Sequence, residues 1–429
     1  MSFQSALSGL NAASRGLDVI GNNIANANTI GMKASRAEFS DIVASASGGG
    51  GVSAGIGVAL ATVSQQFSQG NINITGNDLD VGINGGGFFE LKMPDGSAAY
   101  TRNGAFKLDT VGNIITNSGA QVMGYPTDKT GKPTSATIQA LQLPTAAPIA
   151  ANATTAITAE FNLDARAPLA AGVPAVVGPP AVAAIAATPR TTYGTSLSAF
   201  ESQGTPVPVS LYFERLAPSG AAPNVVDNWA VFDTSTNTGT AAVPIPAALF
   251  TMSFDANGAL TAPAAGAAAL TLSIATPSTT TPNISAVLDI SKVTQYGAAF
   301  AVSNLTQDGY APGELVGIKI GDDGVISARY SNGQTQAAGQ IALAEFRNVQ
   351  GLTPTGGGNW IETFASGQPV QGSPGVGKFG VLRAGALEES TGDLTAELVN
   401  MMTAQRAYQA NAQTIKTQDQ VMSTLVNLR

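Results

Sequence analysis

The chain contains no cysteine and no histidine among its 429 residues. Thiolate nucleophiles, imidazole bases and disulfides are therefore excluded, and most transition-metal sites lose their usual ligands. Charged residues make up only 11% of the sequence, and acidic residues outnumber basic ones by 28 to 20. The net charge of -8 argues against a nucleic-acid partner. We expect no enzymatic activity, no cofactor and no metal.

Targeting and membrane-spanning segments are also missing. Residues 1–20 lack the basic stretch, apolar stretch and small-residue cleavage site of a Sec signal peptide, so export would need another route. The uncharged run 167–189 contains five prolines, which would leave backbone groups unpaired in lipid. We expect no membrane insertion, and the lack of cysteine fits an exported protein.

Both ends of the chain have the periodicity of amphipathic helices. The N-terminal repeat, which we expect to stop near Gly31, alternates steps of four and three and includes Phe3, Leu7, Leu10, Leu17 and Ile24. The C-terminal repeat places apolar residues on one heptad track: Leu387, Leu394, Leu398, Met401, Tyr408, Ile415 and Met422. Neither helix has a helical neighbour in sequence except the opposite terminus. We therefore expect both stripes to mediate self-assembly, either with each other or with other subunits.

The opposite face of the C-terminal helix is polar but nearly uncharged. Its candidates for lining a water-filled channel are Gln409, Gln413, Gln420 and Asn427. An ordinary surface helix rich in glutamine would show the same pattern, so both interpretations stay open.

The middle of the chain alternates strand-like runs with turn signals such as Pro94-Asp95-Gly96 and Ser331-Asn332-Gly333. The predicted fold is multidomain and mainly β, with nested β domains and long terminal helices that form a coiled coil. The expected regions are a helical axial core at 1–30 and 386–429, an extended linker at 31–75, an inner β domain at 76–143 and 297–385, and an inserted outer β domain at 144–296.

Adjacent carboxylates do not indicate a site here. The adjacent side chains of Glu388 and Glu389 would point apart on a strand or a helix, so they would not share a substrate. We assign both residues to the acidic start of the C-terminal helix, where the helix dipole favours negative charge. No pair of acidic residues is placed by a recognisable glycosidase motif.

Four motifs carry a resemblance to a known family. Residues 7–13 with 22–31, residues 82–89, residues 100–106, and residues 394–402 with 405–411 resemble, in this order, the signatures of bacterial flagellar rod and hook proteins. Distal-rod proteins lack a large inserted domain, so the long middle of this chain favours a hook subunit over a rod subunit, which is the nearest alternative.

The resemblance implies a homopolymer: a curved hollow tube that acts as a universal joint and transmits torque from rod to filament. It also implies export through the flagellar type III apparatus to an extracellular location, without a cleaved signal peptide. Expected partners are the hook cap, the distal rod and the hook-filament junction proteins. A secreted β-rich adhesive protein is a rival interpretation, but it leaves the terminal heptads unused.

Overall fold

The computed structural model describes residues 2–43, 55–145, 148–171, 187–220, 225–235, 247–263, 270–277 and 281–427. Most of residues 47–57, within the segment predicted as an extended linker, and most of the run 167–189 lie outside these residues. The chain divides into two compact units, the first formed by 1–147, 315–329 and 335–429 and the second by 148–314 and 330–334. The mainly β fold with a helix at each terminus is confirmed.

The first unit opens with helix α1 (Ser2–Ala25) and an antiparallel pair of strands, β1 (Ser35–Val43) and β2 (Gly55–Gln65). The helix does not continue to Gly31 as expected. Residues 26–32 instead form successive turns, with the amide of Thr29 bonded to the carbonyl of Asn26 and that of Met32 to Thr29. The segment predicted as a linker thus contains paired strands.

Short strands follow in the first unit. They are β3 (Ile72–Ile74), β4 (Val81–Asn84), β5 (Phe88–Lys92), β6 (Ala98–Thr101), β7 (Lys107–Leu108), β8 (Ile114–Ile115), β9 (Gln121–Tyr125) and β10 (Gln139–Ala140).

The second unit consists of two packed sheets. Its strands are β11 (Ala156–Asp164), β12 (Gly194–Phe200), β13 (Pro206–Arg215), β14 (Asp227–Phe232), β15 (Phe250–Phe254), β16 (Leu260–Ala262), β17 (Leu270–Ile274), β18 (Ile284–Asp289), β19 (Thr294–Tyr296) and β20 (Ala301–Gln307). A short 3-10 turn (Arg190–Thr192) precedes β12.

Alternation of side chains explains how these sheets meet. Strands β12 to β16 form an antiparallel meander, and the other sheet is built on β11, which pairs with β18, β19 and β20. Every second residue of β13 from Val207 to Phe213 is buried, as expected of a strand with one face on a core. That core includes Trp229, Phe161 and Met252.

The chain then returns to the first unit. Its remaining strands are β21 (Leu315–Ile320), β22 (Val325–Tyr330), β23 (Thr335–Ile341), β24 (Leu343–Glu345), β25 (Thr353–Gly356), β26 (Asn359–Ile361), β27 (Val370–Gly372), β28 (Val381–Ala384) and β29 (Ala386–Glu388). A 3-10 turn (Val349–Gly351) precedes β25, and helix α2 (Leu394–Asn427) ends the described chain.

The main sheet of the first unit mixes strands from both stretches in the order β21-β22-β23-β9-β5-β6-β26-β25. Phe89, Leu91, Ile341 and Leu343 lie fully buried in its core. The turns expected at Pro94-Asp95-Gly96 and Ser331-Asn332-Gly333 are confirmed, with Gly96 and Gly333 at positive φ. No helix among the described residues is long and apolar enough to cross a membrane.

The second unit reaches Glu314, whereas the predicted insertion spans 144–296. The second unit extends beyond residue 296 because β20 (Ala301–Gln307) pairs with β11. The division into an axial region, a linker, an inner domain and an outer domain stays a prediction.

Candidate self-assembly site

Helices α1 and α2 lie against each other in antiparallel directions. A methyl group on Gly9 would lie 2.9 Å from Nδ2 of Asn411, and Nδ2 of Asn23 donates a 2.9 Å hydrogen bond to Oε1 of Glu397. The two contacts are 14 residues apart in α1, from 9 to 23, and 14 residues apart in α2, from 397 to 411. The helices therefore keep one register over about 21 Å, at 1.5 Å per residue.

Small side chains form the surfaces that face each other. A groove of about 830 Å³ is lined by Gly9, Ala12, Ala13 and Gly16 of α1, by Ala396, Ala404 and Ala407 of α2, and by Ala37, Phe39 and Val58 of the β1–β2 pair. Small residues allow helices to approach closely, because the distance between helix axes depends on the side chains at the contact.

The register leaves the end of α2 without cover from α1. Since residue 9 faces 411 and residue 23 faces 397, Ser2 at the start of α1 lies level with residue 418. The last turns of α2, residues 419–427, extend past that point. Val421 and Met422 in this extension are 55% and 58% exposed.

The predicted apolar stripe of α2 is only partly engaged within the subunit. Leu394, Leu398 and Tyr408 are exposed, at 48%, 46% and 38%, while Met401 and Ile415 are half-buried. The heptad assignment missed the exposed side chains of Val399 and Met402. It was wrong about Leu387, which is buried in β29, seven residues before the helix begins.

The predicted residues of α1 are better covered. Leu10, Leu17 and Ile24 are half-buried, Leu7 is exposed, and the side chain of Phe3 lies outside the described residues. Strand β2 runs beside this helix, where Oγ of Ser8 accepts a 3.2 Å hydrogen bond from the amide of Val58.

The polar face of α2 is open to solvent at three of its four predicted positions. Gln409, Gln413 and Gln420 are exposed, and the side chain of Asn427 lies outside the described residues. Its role in a channel, like the self-assembly role of the apolar stripe, stays a prediction.

Asp393 fixes the start of α2. Its Oδ1 accepts hydrogen bonds from the amides of Thr395 (2.8 Å) and Ala396 (3.3 Å), which have no partner within the helix. A carboxylate at this end is also favoured by the helix dipole. Asn23 connects this region to β1, exchanging hydrogen bonds with the amide and carbonyl of Ser35 at 2.9 and 2.8 Å.

Sequence reasoning misassigned Glu388. It does not belong to the acidic start of α2: it lies in β29 and its side chain is fully buried, whereas Glu389 points to solvent. Nζ of Lys33 lies 2.5 Å from one carboxylate oxygen of Glu388, and Nη1 of Arg102 lies 3.1 Å from the other. Arg102 lies within the motif at residues 100–106, and Lys33 lies two residues past the motif that ends at residue 31. In a chain with few charges, a basic residue in or beside a family motif was the available sequence signal for this cluster.

Burial sets the electrostatics of this cluster. Removal from water lowers the pKa of Lys33 and of Arg102, and the neighbouring carboxylate of Glu388 only partly offsets this. Among the described residues, no group of three or more acidic side chains is arranged to hold a metal ion.

Four family models match the chain. They are "Flagella basal body rod protein" at residues 3–33, "Flagellar hook protein FlgE/F/G D1 domain" at 82–160, "Flagellar basal body protein FlaE D2 domain" at 162–310, and "Flagellar basal body rod FlgEFG protein C-terminal" at 383–428.

Full-length relatives carry the same description. The flagellar hook protein FlgE of Escherichia coli is 40% identical over 436 aligned residues, and that of Salmonella typhimurium is 39% identical over 432, with each chain covered completely. The FlgE of Borreliella burgdorferi is 31% identical over all of this chain and 99% of its own length. The crystal structure of Helicobacter pylori FlgE2 shares the fold with a TM-score of 0.52 at 15% identity, covering 74% of this chain and all of that one.

Proposed function

Because this chain belongs to the flagellar hook protein family, we propose that its subunits polymerise into a curved hollow tube that transmits torque as a universal joint. The protein is a structural subunit of the hook, in the flagellar basal body. The exposed apolar residues of α2 are the single observation that supports polymerisation most directly.

Those residues need a cover that the isolated subunit does not supply. Leu394, Leu398 and Met422 each leave about half of their surface in water. Burying apolar surface is favourable by roughly 25 cal/mol per Å², so neighbouring subunits that cover this stripe would gain stability. The contact is heterologous when the covering surface differs from the stripe, and repeated heterologous contacts that do not close generate helical filaments.

The register of α1 and α2 supports a coiled coil. Contacts that recur after 14 residues in both helices fit two heptads. In the proposed tube these paired helices form the axial core, and Gln409, Gln413, Gln420 and Asn427 line its channel. An uncharged amide surface would let exported chains of either charge pass.

The remaining roles follow from family membership. Residues 144–296 are proposed as the outer β domain and residues 76–143 with 297–385 as the inner one. Export through the flagellar type III apparatus without a cleaved signal peptide, an extracellular location, and contact with the hook cap, distal rod and hook-filament junction proteins belong to the same proposal. It includes no catalytic activity.

Electron microscopy of concentrated protein tests the polymer. We expect hollow, curved tubes that sediment above a critical concentration. Straight tubes would favour a rod subunit, and a protein that stays monomeric at all concentrations would contradict the proposal.

A further inference from the structure

Four separate stretches of the chain meet at the carboxylate of Glu388. Lys33 comes from the segment between α1 and β1, and Gly70 from the segment between β2 and β3, where its amide donates a 2.8 Å hydrogen bond to Oε1 of Glu388. Arg102 follows β6 of the main sheet. Glu388 itself lies in β29, just before α2 begins.

Secondary contacts extend this junction. Nζ of Lys33 also donates to the carbonyl of Ser68 at 2.6 Å, and Nη2 of Arg102 donates to the carbonyl of Gly85 at 2.9 Å. The amide of Gly31 donates to the backbone carbonyl of Glu388 at 2.8 Å. The segments that connect α1, the β1–β2 pair and α2 to the β sheets of the first unit are therefore tied together at one place.

Gly31 allows that approach. It adopts φ +70°, and a Cβ atom there would lie 2.6 Å from the backbone carbonyl carbon of Arg102. Only glycine accommodates both the conformation and the proximity without displacing the backbone.

Lys33 is a member whose removal would leave the cluster neutral. Arg102 and Glu388 alone would form a neutral pair, and the buried ammonium adds a second cation that Glu388 must share. Buried ion pairs are frequently no more stabilising than apolar residues of the same size, and in some proteins they serve to select one arrangement. Lys33 contacts both the carbonyl of Ser68 and the carboxylate of Glu388, and so adds a side-chain bridge to the backbone and Gly70 contacts that already join these segments.

We propose that Lys33, Arg102 and Glu388 are positioning residues for assembly, which hold the C-terminal end of α1 and the N-terminal end of α2 at one fixed place on the β structure of the first unit. The consequence of this inference rests on the proposed polymer, since helices fixed at these ends are presented to a neighbouring subunit in one orientation. The junction itself is a property of the subunit and is tested without polymer.

Lys33→Met separates positioning from stability, because methionine keeps an unbranched apolar stem and removes only the ammonium end, while the Arg102–Glu388 pair remains. Unfolding is monitored by the fluorescence of Trp360 in a Trp229→Phe background, and we expect a midpoint equal to or above that of the parent. Hydrogen exchange at residues 29–35 and 68–71 of the soluble subunit should accelerate at least tenfold, and the critical concentration for sedimentable polymer should rise at least tenfold. A lower midpoint with matching losses in exchange protection and assembly would reduce Lys33 to a stability element and overturn the proposal, as would unchanged exchange and assembly.

Glu388→Gln has a matched control in Glu389→Gln, the same change one residue on and in solvent. Glu388→Gln leaves two buried cations without a counterion, so we expect faster exchange at residues 29–35, 68–71 and 386–391, while Glu389→Gln behaves like the parent. Equal exchange in the two variants would contradict the proposal. If Glu388→Gln does not fold, Lys33→Met decides alone. If the parent forms no polymer, the proposed function fails, while the exchange measurements still judge the junction.

Discussion

Not every buried charge of the first unit is paired with an opposite charge. Glu90 on β5 is 6% exposed and has no cationic partner among the described residues; its carboxylate oxygens accept hydrogen bonds from Nε2 of Gln371 at 3.1 and 3.0 Å. Burial, with a smaller contribution from nearby Glu362, raises the pKa of Glu90. A raised carboxyl pKa favours the folded state below the unfolded pKa, and that advantage is lost as pH rises through the folded pKa.

Glu90→Gln should therefore stabilise the first unit at pH 7 by about 1 kcal/mol, an ordinary size for a single substitution. The glutamine keeps the shape of the side chain and removes the buried charge. The gain should shrink toward zero as pH falls below the ordinary glutamate pKa of about 4.3, where the parent carboxyl becomes protonated in both states. Urea unfolding followed by Trp360 fluorescence in a Trp229→Phe background measures both.

The control is Glu389→Gln, which removes an exposed carboxylate of the same unit and should change stability at neither pH. A destabilised Glu90→Gln protein at pH 7 would show that Gln371 requires an ionised partner.

Residue-level roles are also where sequence reasoning was weakest. The motif at residues 100–106 identified a family, but nothing in the sequence pattern indicated that Arg102 and Lys33 both contact Glu388. Lys33 and Arg102 are 69 positions apart, and Arg102 is 286 positions from Glu388. Such a contact depends on the strand pairing that brings β29 beside β3, which no local signal encodes.

At the scale of elements, periodicity identified both helices but not the face each uses. An apolar heptad track predicts burial, yet α2 meets α1 through small residues such as Ala404 and Ala407 and leaves Leu398 half exposed. Glycine and alanine carry little apolar weight in a heptad count, so a close helix contact made by them is hard to see. An apolar stripe that packs on another subunit has the same sequence periodicity as one that packs on the subunit's own core.

The overhang of α2 leads to an element-level prediction. Hydrogen exchange of the soluble subunit should show residues 397–411 protected by α1, and residues 419–427 exchanging at least tenfold faster, since isolated helical ends are marginal in water. Limited proteolysis should remove this end first, and both segments should be protected in the polymer. Equal protection of the two segments in a verified monomer would contradict the register derived from the Gly9–Asn411 and Asn23–Glu397 contacts.

At the scale of the whole molecule, most of the second unit can be removed at a natural point, because only its short segment 330–334 lies outside residues 148–314. The chain enters and leaves it through paired segments, with the amide of Ile149 donating to the carbonyl of Gly313 at 2.8 Å. Replacing residues 150–312 by a two-residue Asn-Gly turn should therefore leave the first unit folded. We expect tubes of altered curvature or stiffness in electron micrographs. A folded deletion protein that forms no polymer would show that the second unit is needed for assembly.

The apolar stripe of α2 gives the sharpest test of assembly. Truncating a buried leucine to alanine costs about 2 to 5 kcal/mol, and roughly half of that applies to subunit contacts when the side chain is already half covered in the monomer. Leu398, 46% exposed, is such a residue. Leu398→Ala should therefore weaken addition of each subunit by about 1 to 2.5 kcal/mol, which raises the critical concentration roughly 5- to 60-fold at 1.4 kcal/mol per decade.

Gln413→Ala, on the polar face of the same helix, is the matched control. It should leave assembly near the parent value, because its exposed amide is proposed to face a water-filled channel rather than another subunit. Sedimentation of polymer, with the remaining soluble subunit quantified, compares the two variants directly. If Leu398→Ala assembles like the parent while Gln413→Ala does not, the surface that binds neighbouring subunits is the amide face, and the apolar stripe must face the channel.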